Sequence, residues 1–413
     1  MPEALTNCAY RSALGPTDEM MLWNMYQTQS VRTIQAVLET SRPITAEELD
    51  QLAAQLERSH LSRTVRHRRP RWWLIPSWTA PTPGRGEHRA LTAPHCWRSW
   101  LDQQVYTPLA AGRNWRLAAI PHNNATLISL VVPHLYTDGN GLVTALSDTP
   151  DALVRPGGRV ATTANRLDTA PRIADRPEQA PFVQFDTAYL TIDLASWRST
   201  AQQAGLTPND VLVYACAQAF LRQQARREVR VGIPVSTRDP HAPTGEANEL
   251  TVIPITVAAT STPTDMAAAL RARISDPYQL SPITIPPWIY RVLPTPLRQR
   301  AKKPGTKSCE LLVSNFGPVL GPPQTTSVGG GPIANAFFRT VNTPGTHRSR
   351  QRTRVSVVAA GSNNTLALTI SADPDAIDTA RMAAAIATTL TAGFLSPDSS
   401  QNNGTPAEAV SGE

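Results

Sequence analysis

Cysteine is scarce in this sequence. The four cysteines, Cys8, Cys96, Cys216 and Cys309, lie far apart, and no two of them form a Cys-x-x-Cys pair. This spacing favours neither a structural zinc site nor a disulfide framework. Because free thiols persist in a reducing compartment, we expect a cytoplasmic protein.

Long hydrophobic runs are also absent. A transmembrane helix needs roughly 18 or more predominantly apolar residues, and no stretch of the chain approaches that length. Residues 1–20 lack the basic segment followed by an apolar one that a secretory leader shows. The sequence therefore predicts neither a membrane span nor a leader.

Neither charge sign dominates the composition. The 413 residues carry 39 Lys and Arg against 32 Asp and Glu, which gives a formal net charge of +7. Such a field attracts phosphates and carboxylates but does not distinguish a nucleic acid from a nucleotide cofactor or an acidic protein. The length exceeds the roughly 250 to 300 residues at which single hydrophobic cores stop growing, so two domains are expected.

Periodic patterns predict the secondary structure in both halves. Thr45 and Glu48 form a capping-box pattern ahead of leucines at helical spacing. Two apolar runs, at 115–121 and 126–133, predict a hairpin whose second strand is buried on both faces. Thr207 precedes Pro208 at the start of a long apolar helix.

A change of composition marks the middle of the chain. Residues 148–181 are rich in Pro, Arg, Asp and Thr and have no hydrophobic period, which is typical of a crossover between domains. The predicted division is an N-terminal lobe at 1–160, a crossover linker at 161–184, a C-terminal lobe at 185–395 and a disordered tail at 396–413.

One short run has the form of a catalytic motif. His134-Leu-Tyr-Thr-Asp138-Gly139 directly follows the predicted buried strand. A histidine at a strand end can act as a general base near neutral pH, and Asp138 is placed to orient it. Gly139 and Gly141 predict positive backbone torsions in a sharp turn. The alternative is a structural histidine followed by a hairpin turn, and the motif alone does not decide between them.

The motif is accompanied by segments that together resemble a known superfamily. In its N-terminal half the chain is similar to chloramphenicol-acetyltransferase-like proteins, which include condensation domains of peptide synthetases and wax-ester synthases. The segments that carry this resemblance are Leu14–Glu19, Arg42–Leu49 and His134–Gly139. Downstream stretches resemble wax-ester-synthase and polyketide-synthase-associated acyltransferases, namely Thr207–Leu212, Arg230–Arg238 and Ser314–Pro318.

The resemblance implies an α/β fold, an α+β sandwich of two lobes that flank a central substrate tunnel. It implies that His134 is the catalytic base and that Asp138, together with Gly139, supports the motif through an ion pair with Arg238. Ser314 and Asn315 are implied on the opposite tunnel wall, where a donor could stabilise an oxyanion. A polar turn at a strand end is the alternative for those two residues.

The implied activity is acyl transfer from a coenzyme A or carrier-protein thioester to a hydroxyl or amine, in secondary metabolism such as antibiotic biosynthesis, or in lipid biosynthesis. Neither a metal nor a bound cofactor is expected, because acyl-CoA or a phosphopantetheinyl thioester serves as co-substrate. An acidic acyl or peptidyl carrier protein is a possible partner. The alternative is a degenerate relative that docks carrier proteins without turnover.

The sequence departs from the family pattern at two points. Pro133 stands where relatives have the first histidine of a pair. Asp148-Thr-Pro150 predicts an early end to the helix after the motif. These departures are the basis for the degenerate alternative.

Basic clusters suggest a third hypothesis. Arginines and tryptophans alternate between Arg63 and Trp73, and further arginines lie at 348–354. Such clusters can bind nucleic acid, although solvated edges are the more common explanation. Lys302, Lys303 and Lys307 are candidates for contacts with coenzyme A phosphates or a carrier protein. Other aromatic residues and histidines have structural interpretations. Trp97 and Trp100 are expected to line the core or the tunnel. The spacing of His88, His95 and His122 is not that of metal ligands, and we expect them to be ordinary loop residues.

Overall fold

The structure is a computed structural model. It describes residues 12–28, 30–66, 77–89, 96–146, 184–238, 247–276, 281, 283–301, 309–320, 327–328, 331–343, 353–362 and 364–392. Several predicted features lie outside these residues, namely most of the crossover, the tail, residues 67–73, the lysines at 302, 303 and 307, and the arginines at 348, 350 and 352.

Strands and helices alternate along both halves of the chain. The strands are β1 (Ser12–Ala13), β2 (Val31–Thr40), β3 (Val65–Arg66), β4 (Ser77–Trp78), β5 (Gly86–Arg89), β6 (Trp115–His122), β7 (Ala125–Pro133), β8 (Asp186–Asp193), β9 (Glu228–Ser236), β10 (Leu250–Ala258), β11 (Leu311–Leu320), β12 (Ser327–Val328), β13 (Gly331–Thr343), β14 (Val355–Ser362) and β15 (Thr365–Ala372). The helices are α1 (Pro16–Thr28), α2 (Ala46–Arg58), α3 (Trp97–Tyr106), α4 (Gly139–Leu146), α5 (Leu194–Gln203), α6 (Pro208–Gln224), α7 (Pro263–Ile274), α8 (Pro287–Val292), α9 (Thr295–Ala301) and α10 (Thr379–Ala392).

Capping residues begin several of these helices as the sequence predicts. Thr45 accepts the Glu48 backbone N–H, and the Glu48 carboxylate accepts the Thr45 N–H in return, so α2 starts with a complete capping box. Thr207 and Asp210 form the same arrangement at the start of α6. The predicted hairpin is present as β6 and β7.

The described strands form two large sheets and one small one. The N-sheet has the order β12-β13-β2-β7-β6-β5, and the C-sheet has the order β10-β9-β11-β14-β15-β8. A three-stranded sheet, β1-β4-β3, lies beside them. Each large sheet packs its own helices, so the structure has two mixed α/β lobes.

The second half of the chain contributes one strand, β13, to the N-sheet. β13 belongs to the second half of the chain, yet it pairs antiparallel with β2 of the N-sheet from Ile333 opposite Thr40 to Thr343 opposite Val31. The sequence patterns did not predict β13. The division at 161–184 therefore follows chain order and does not separate two independently paired sheets.

The buried cores follow the two sheets. One core joins α5, α6, α7 and α10 to the C-sheet. A second core joins α2 and α4 to one face of the N-sheet, and it also contains Val358 and Ala360 of β14. The two lobes are therefore in direct apolar contact beside β13. The opposite face of the N-sheet packs against α3 through Trp100 and Leu101.

Candidate active site

His134 lies one residue beyond the end of β7, at the junction of the two lobes. Its backbone N–H donates to the Arg32 carbonyl at 2.7 Å, which extends the ladder with β2 by one residue. Pro133 lies opposite Thr33 in that ladder. The proline is thus accommodated within β7, and the chain turns at His134, where the Tyr136 N–H donates to the Pro133 carbonyl at 2.9 Å.

Asn248 fixes the imidazole of His134. Its Oδ1 lies 2.8 Å from His134 Nδ1. Its Nδ2 donates to the carbonyls of His134 at 2.9 Å and Leu135 at 3.1 Å, and to Asp18 Oδ1 at 2.9 Å. Because all three partners of Nδ2 are acceptors, the amide orientation is determined, and Oδ1 must accept the proton of Nδ1. The neutral imidazole therefore carries its lone pair on Nε2.

Asp18 holds Asn248 in turn. Its Oδ1 accepts the backbone N–H of Asn248 at 2.8 Å, and its Oδ2 accepts the Ala247 N–H at 3.0 Å and the Trp78 indole at 3.1 Å. The side chain is completely buried. Burial raises the pKa of Asp18 to about 6, although these hydrogen bonds and the charge of Arg63 oppose the shift. Asp18, Asn248 and His134 thus form one chain of hydrogen bonds.

Asp138 secures the motif from the other side. Its Oδ2 lies 2.9 Å from Arg238 Nη2 and accepts the Glu249 backbone N–H at 3.1 Å. Its Oδ1 accepts the Gly141 N–H at 2.7 Å, which caps α4. Arg238 also pairs with the Glu249 carboxylate at 3.1 Å. The Asp138 carboxylate therefore bridges the motif to the ends of β9 and β10.

The glycines of the motif are required by packing. A methyl group added at Gly139 would overlap the ring of Phe316 on β11, and one added at Gly141 would contact Thr137 Oγ1. Neither glycine is among the residues with positive φ, so the sequence prediction of positive torsions here was wrong. Thr137 is itself held by His60, whose Nε2 lies 3.1 Å from its hydroxyl.

The electrostatic surroundings of His134 favour its neutral form. Burial is the largest cause, and the positive charge of Arg32 is the second; together they lower the pKa of His134 to about 4. The charge of Asp138 and the hydrogen bond to Asn248 act in the opposite direction. His134 is only half-buried by surface area. It therefore lies deep in the protein while part of its side chain remains accessible.

Ser314 and Asn315 occupy opposite faces of β11. Ser314 is paired with Val358, whose side chain belongs to the N-lobe core, so Ser314 is on the face turned towards the motif. Asn315 donates from Nδ2 to Asn209 Oδ1 of α6 at 3.3 Å and accepts the Gly317 N–H at 2.9 Å. The structure thus brings one of these two residues, Ser314, to the N-lobe side.

The sequence patterns missed three residues around His134. Asn248 and Arg32 carried no motif, and Asp18 was noticed only as part of the start of a helix. The signal that could have drawn attention to Asp18 is its place in Leu14–Glu19, one of the segments that carry the family resemblance. Nothing in the sequence around Asn248 marks it as a partner of a histidine 114 residues away.

Other predicted candidates have ordinary structural roles. Arg63, from the basic cluster, is 1% exposed and lies over the ring of Trp78, so it is not part of a nucleic-acid surface. Trp97 packs against His122 and Tyr189. Across the described residues, no cluster of three or more His, Cys, Asp or Glu could hold a metal ion. In the same part of the chain, no helix has the length and apolar character needed to cross a membrane.

Solved structures resemble this chain over nearly its full length. The first condensation domain of the calcium-dependent antibiotic synthetase, solved with a substrate analogue, has a TM-score of 0.60 at 16% identity, and the match covers 93% of this chain and 97% of that domain. This chain has the condensation-domain fold. The expected pair of lobes in the manner of chloramphenicol acetyltransferase is thereby confirmed.

Two further solved structures share the fold. The wax ester synthase/diacylglycerol acyltransferase from Marinobacter aquaeolei VT8 has a TM-score of 0.55 at 16% identity, with 92% of this chain and 98% of that chain covered. Polyketide synthase associated protein 5 from Mycobacterium tuberculosis has a TM-score of 0.57 at 13% identity, with 92% and 97% covered. No protein-family model and no curated protein matches the sequence.

Proposed function

We propose that this protein transfers an acyl group from a coenzyme A or carrier-protein thioester to a hydroxyl or amine, with His134 as the general base. The observation that carries the proposal is the bond between His134 Nδ1 and Asn248 Oδ1, 2.8 Å long. It leaves Nε2 with a lone pair, and this atom makes no hydrogen bond to any described residue. The condensation-domain fold supports the assignment.

The reaction follows from this geometry. Nε2 removes the proton of the acceptor X–H as X attacks the thioester carbonyl carbon, and the X–C bond forms while the carbonyl oxygen becomes an oxyanion. The C–S bond then breaks, and the departing thiolate takes the proton from the imidazolium. The products are an ester or amide and a free thiol, and the base is regenerated without an acyl-enzyme.

Residues around His134 have supporting roles in this proposal. The Asp138 carboxylate, buried beside the imidazole, stabilises the imidazolium that forms during the reaction. Its ion pair with Arg238 holds it in place. Ser314, on the N-lobe face of β11, is the candidate donor to the oxyanion. A tunnel between the lobes would deliver the donor thioester from one side and the acceptor from the other.

The setting we propose is bacterial secondary metabolism or lipid biosynthesis, and an acidic carrier protein is a partner that would suit the net charge of +7. The competing function is a docking module that binds carrier proteins without turnover. The determined orientation of Asn248 favours an enzyme over that alternative, because a binding module has no need of a fixed histidine tautomer.

A thioester screen tests the proposal. Purified protein is mixed with acyl-CoA donors of increasing chain length and a panel of alcohols and amines, thiol release is followed by absorbance, and products are identified by mass spectrometry. We expect turnover that falls by about 10²- to 10⁴-fold in His134→Ala. His88→Ala is the matched control, because His88 is exposed and pairs with Asp50. Equal thioester consumption by wild type and His134→Ala would contradict the base assignment.

A further inference from the structure

Arg32 is the immediate neighbour of His134 across the sheet. Thr33 is paired with Pro133, and the next residues along, Arg32 and His134, are joined by the 2.7 Å backbone hydrogen bond. Directly opposite residues have Cβ atoms about 4.5 to 5.5 Å apart and share a face. Asn342 of β13 is opposite Arg32 on its other side. Arg32 therefore lies between Asn342 of β13 and His134 at the end of β7.

Among the residues that the structure describes, none supplies a counter-charge to the guanidinium of Arg32. It makes no hydrogen bond and no ion pair with the residues that the structure describes. Other deeply placed arginines do have such partners: Arg298 pairs with Glu19, Arg116 with Glu87 and Arg339 with Asp102. Arg32 is the exception in this comparison, and it is the one beside the candidate base.

Arg32, like His134, lies deep in the protein. Burial lowers its pKa, with no carboxylate to oppose the shift, yet the side chain is only half-buried by surface area. A cation removed from bulk water without a partner is costly. The cost is removed when an anion pairs with the guanidinium.

We propose that Arg32 binds a carboxylate of the substrate, placed next to the reacting group, so that this acyltransferase selects substrates that carry a negative charge near the bond being made. The inference rests on the proposed function. Asn342, half-buried on the far side of Arg32, has an amide that can donate to the same carboxylate. The forked guanidinium matches a planar carboxylate with two parallel hydrogen bonds.

The phosphates of coenzyme A do not fit this position. The thioester carbonyl must lie beside His134 for the reaction, and the pantetheine arm separates that carbonyl from the nearest phosphate. Arg32 lies one strand away from His134, so the anion must belong to the acceptor or to the acyl group itself. An amino acid or hydroxy acid would supply it on the acceptor, and a dicarboxylic acyl group would supply it on the donor.

Binding of an anion at Arg32 would also raise the pKa of His134. The charge of Arg32 lowers the pKa of His134, and an imidazole with so low a pKa is a weak proton acceptor. A carboxylate that neutralises Arg32 removes this effect. His134 then becomes more basic when the correct substrate binds than it is without that substrate.

Matched substrate pairs test the selectivity. Amino-acid and hydroxy-acid acceptors are compared with their methyl esters, and succinyl-CoA is compared with butyryl-CoA. We expect kcat/KM to favour the charged member of one pair by about 10- to 100-fold, and the preferred pair identifies the source of the carboxylate. Arg32→Met should remove the preference and Arg32→Lys should restore part of it. Arg273→Met, an exposed arginine on α7, is the control. A preference that survives in Arg32→Met, or equal use of both members by wild type, overturns the inference.

A binding measurement separates this inference from the proposed function. The pKa of His134 is measured by nuclear magnetic resonance with labelled histidine, with and without hexane-1-sulfonate, an anion at every pH of the titration, and with hexan-1-ol as the neutral probe. We expect the sulfonate, and not the alcohol, to raise the pKa in wild type, and we expect no response in Arg32→Met, whose His134 pKa is already raised.

The two proposals fail in different ways. A sulfonate response that depends on Arg32, without turnover in any thioester assay, contradicts the acyltransferase and supports the anion site. Turnover that depends on His134 but is indifferent to substrate charge, with no sulfonate response, contradicts the anion site alone. Circular dichroism of each variant establishes that it is folded before either result is used.

Discussion

The chemistry of His134 depends on residues that are distant in sequence. Arg32 and burial lower its pKa, whereas Asp138 and Asn248 raise it. Asn248 determines which ring nitrogen carries the proton. The pKa and the tautomer of this histidine are therefore set by residues from both halves of the chain.

Replacing Asn248 by Ala tests the tautomer argument. Without Oδ1 the Nδ1 proton loses its acceptor, and the imidazole is free to rotate or to adopt the other tautomer. We expect kcat to fall by roughly 100-fold with little change in KM, because the base contributes to the transition state and not to substrate binding. Steady-state kinetics of the thioester assay provide the measurement, with the exposed Asn140→Ala on α4 as control. A rise in KM at unchanged kcat would assign Asn248 to binding.

The pH dependence of stability tests the ionisation of Asp18 and His134. Folded Asp18 keeps its proton up to about pH 6, whereas the unfolded side chain keeps it only to about pH 3.8. The contribution of Asp18 to the free energy of unfolding therefore falls as pH rises through this window. Folded His134 remains neutral down to about pH 4, whereas the unfolded imidazole binds a proton below about pH 6.5. The contribution of His134 to the free energy of unfolding therefore rises as pH rises over nearly the same window. At about 1.4 kcal/mol per pKa unit, each contribution is roughly 3 kcal/mol and the two nearly cancel.

Single substitutions should separate these opposite contributions. We expect the free energy of unfolding of Asp18→Asn to rise between pH 4 and 6 relative to wild type, and that of His134→Ala to fall. Urea titrations at several pH values measure both slopes. Parallel slopes in the two variants would show that the ionisations are assigned incorrectly.

The site could be predicted from sequence only where its residues are contiguous. His134, Asp138 and Gly139 share one short motif, and Arg238 follows from the family resemblance. Asn248 and Arg32 reach His134 only through tertiary contacts. Asn248 does so through a side chain 114 residues away from His134 in the sequence, and Arg32 does so through the pairing of β2 with β7. No local pattern encodes such contacts, because each residue alone is a common polar residue.

At the scale of single elements, α4 and β11 restrict each other's position because they are in close contact. α4 begins at Gly139, where the ring of Phe316 on β11 occupies the space of a side chain. The cap from Asp138 and this close approach set where the helix starts relative to His134. The helix is eight residues long in the described part of the chain, and the predicted interruption at Asp148 lies outside that part.

Enlarging Gly139 tests this contact. Gly139→Ala places a methyl group inside the Phe316 ring, so either α4 or β11 must move. We expect a loss of roughly 1 to 3 kcal/mol of unfolding free energy together with reduced turnover, and Phe316→Ala in the same chain should recover part of both. A double-mutant cycle by urea denaturation gives the coupling. Additive effects would mean that the two residues do not compete for space.

Some elements were predictable because a local pattern specifies them, and others were not. α2 follows from Thr45 and Glu48, and β7 from its continuous apolar run. β13 has a register shift between Ile333 and Asn335, and Arg339 is buried in its middle. The shift and the buried charge remove the alternation by which strands are found in a sequence.

At the scale of the whole molecule, the two lobes are joined at the candidate site. Asp18 and Asp138 of the first half hold the segment from Ala247 to Glu249 of the second half. Glu19 on α1 also forms a buried ion pair with Arg298 on α9, and Tyr290 on α8 donates to its carboxylate at 2.7 Å. The lobes are therefore fastened by buried charged groups as well as by β13.

Separating the lobes tests this interdependence. A fragment of residues 1–160 lacks β13, so the edge of β2 is unpaired, and the carboxylates of Asp18 and Asp138 lose their partners. We expect the fragment to show no cooperative thermal transition and to aggregate, whereas mixing it with residues 161–413 during refolding should restore a transition. Differential scanning calorimetry provides the measurement. A sharp transition of the fragment alone would show that the first lobe folds independently.

The contribution of β13 to the N-sheet has a consequence for biosynthesis. β2 and β7 leave the ribosome early, but β13 begins about 200 residues after Pro133, which corresponds to roughly 10 to 40 s at about 5 to 20 residues per second. During that interval the nascent first lobe has an open strand edge. Chaperones that shield unpaired edges should therefore influence the yield of this protein, and His134 can meet its hydrogen-bond partner Asn248 only after a further 114 residues have been made.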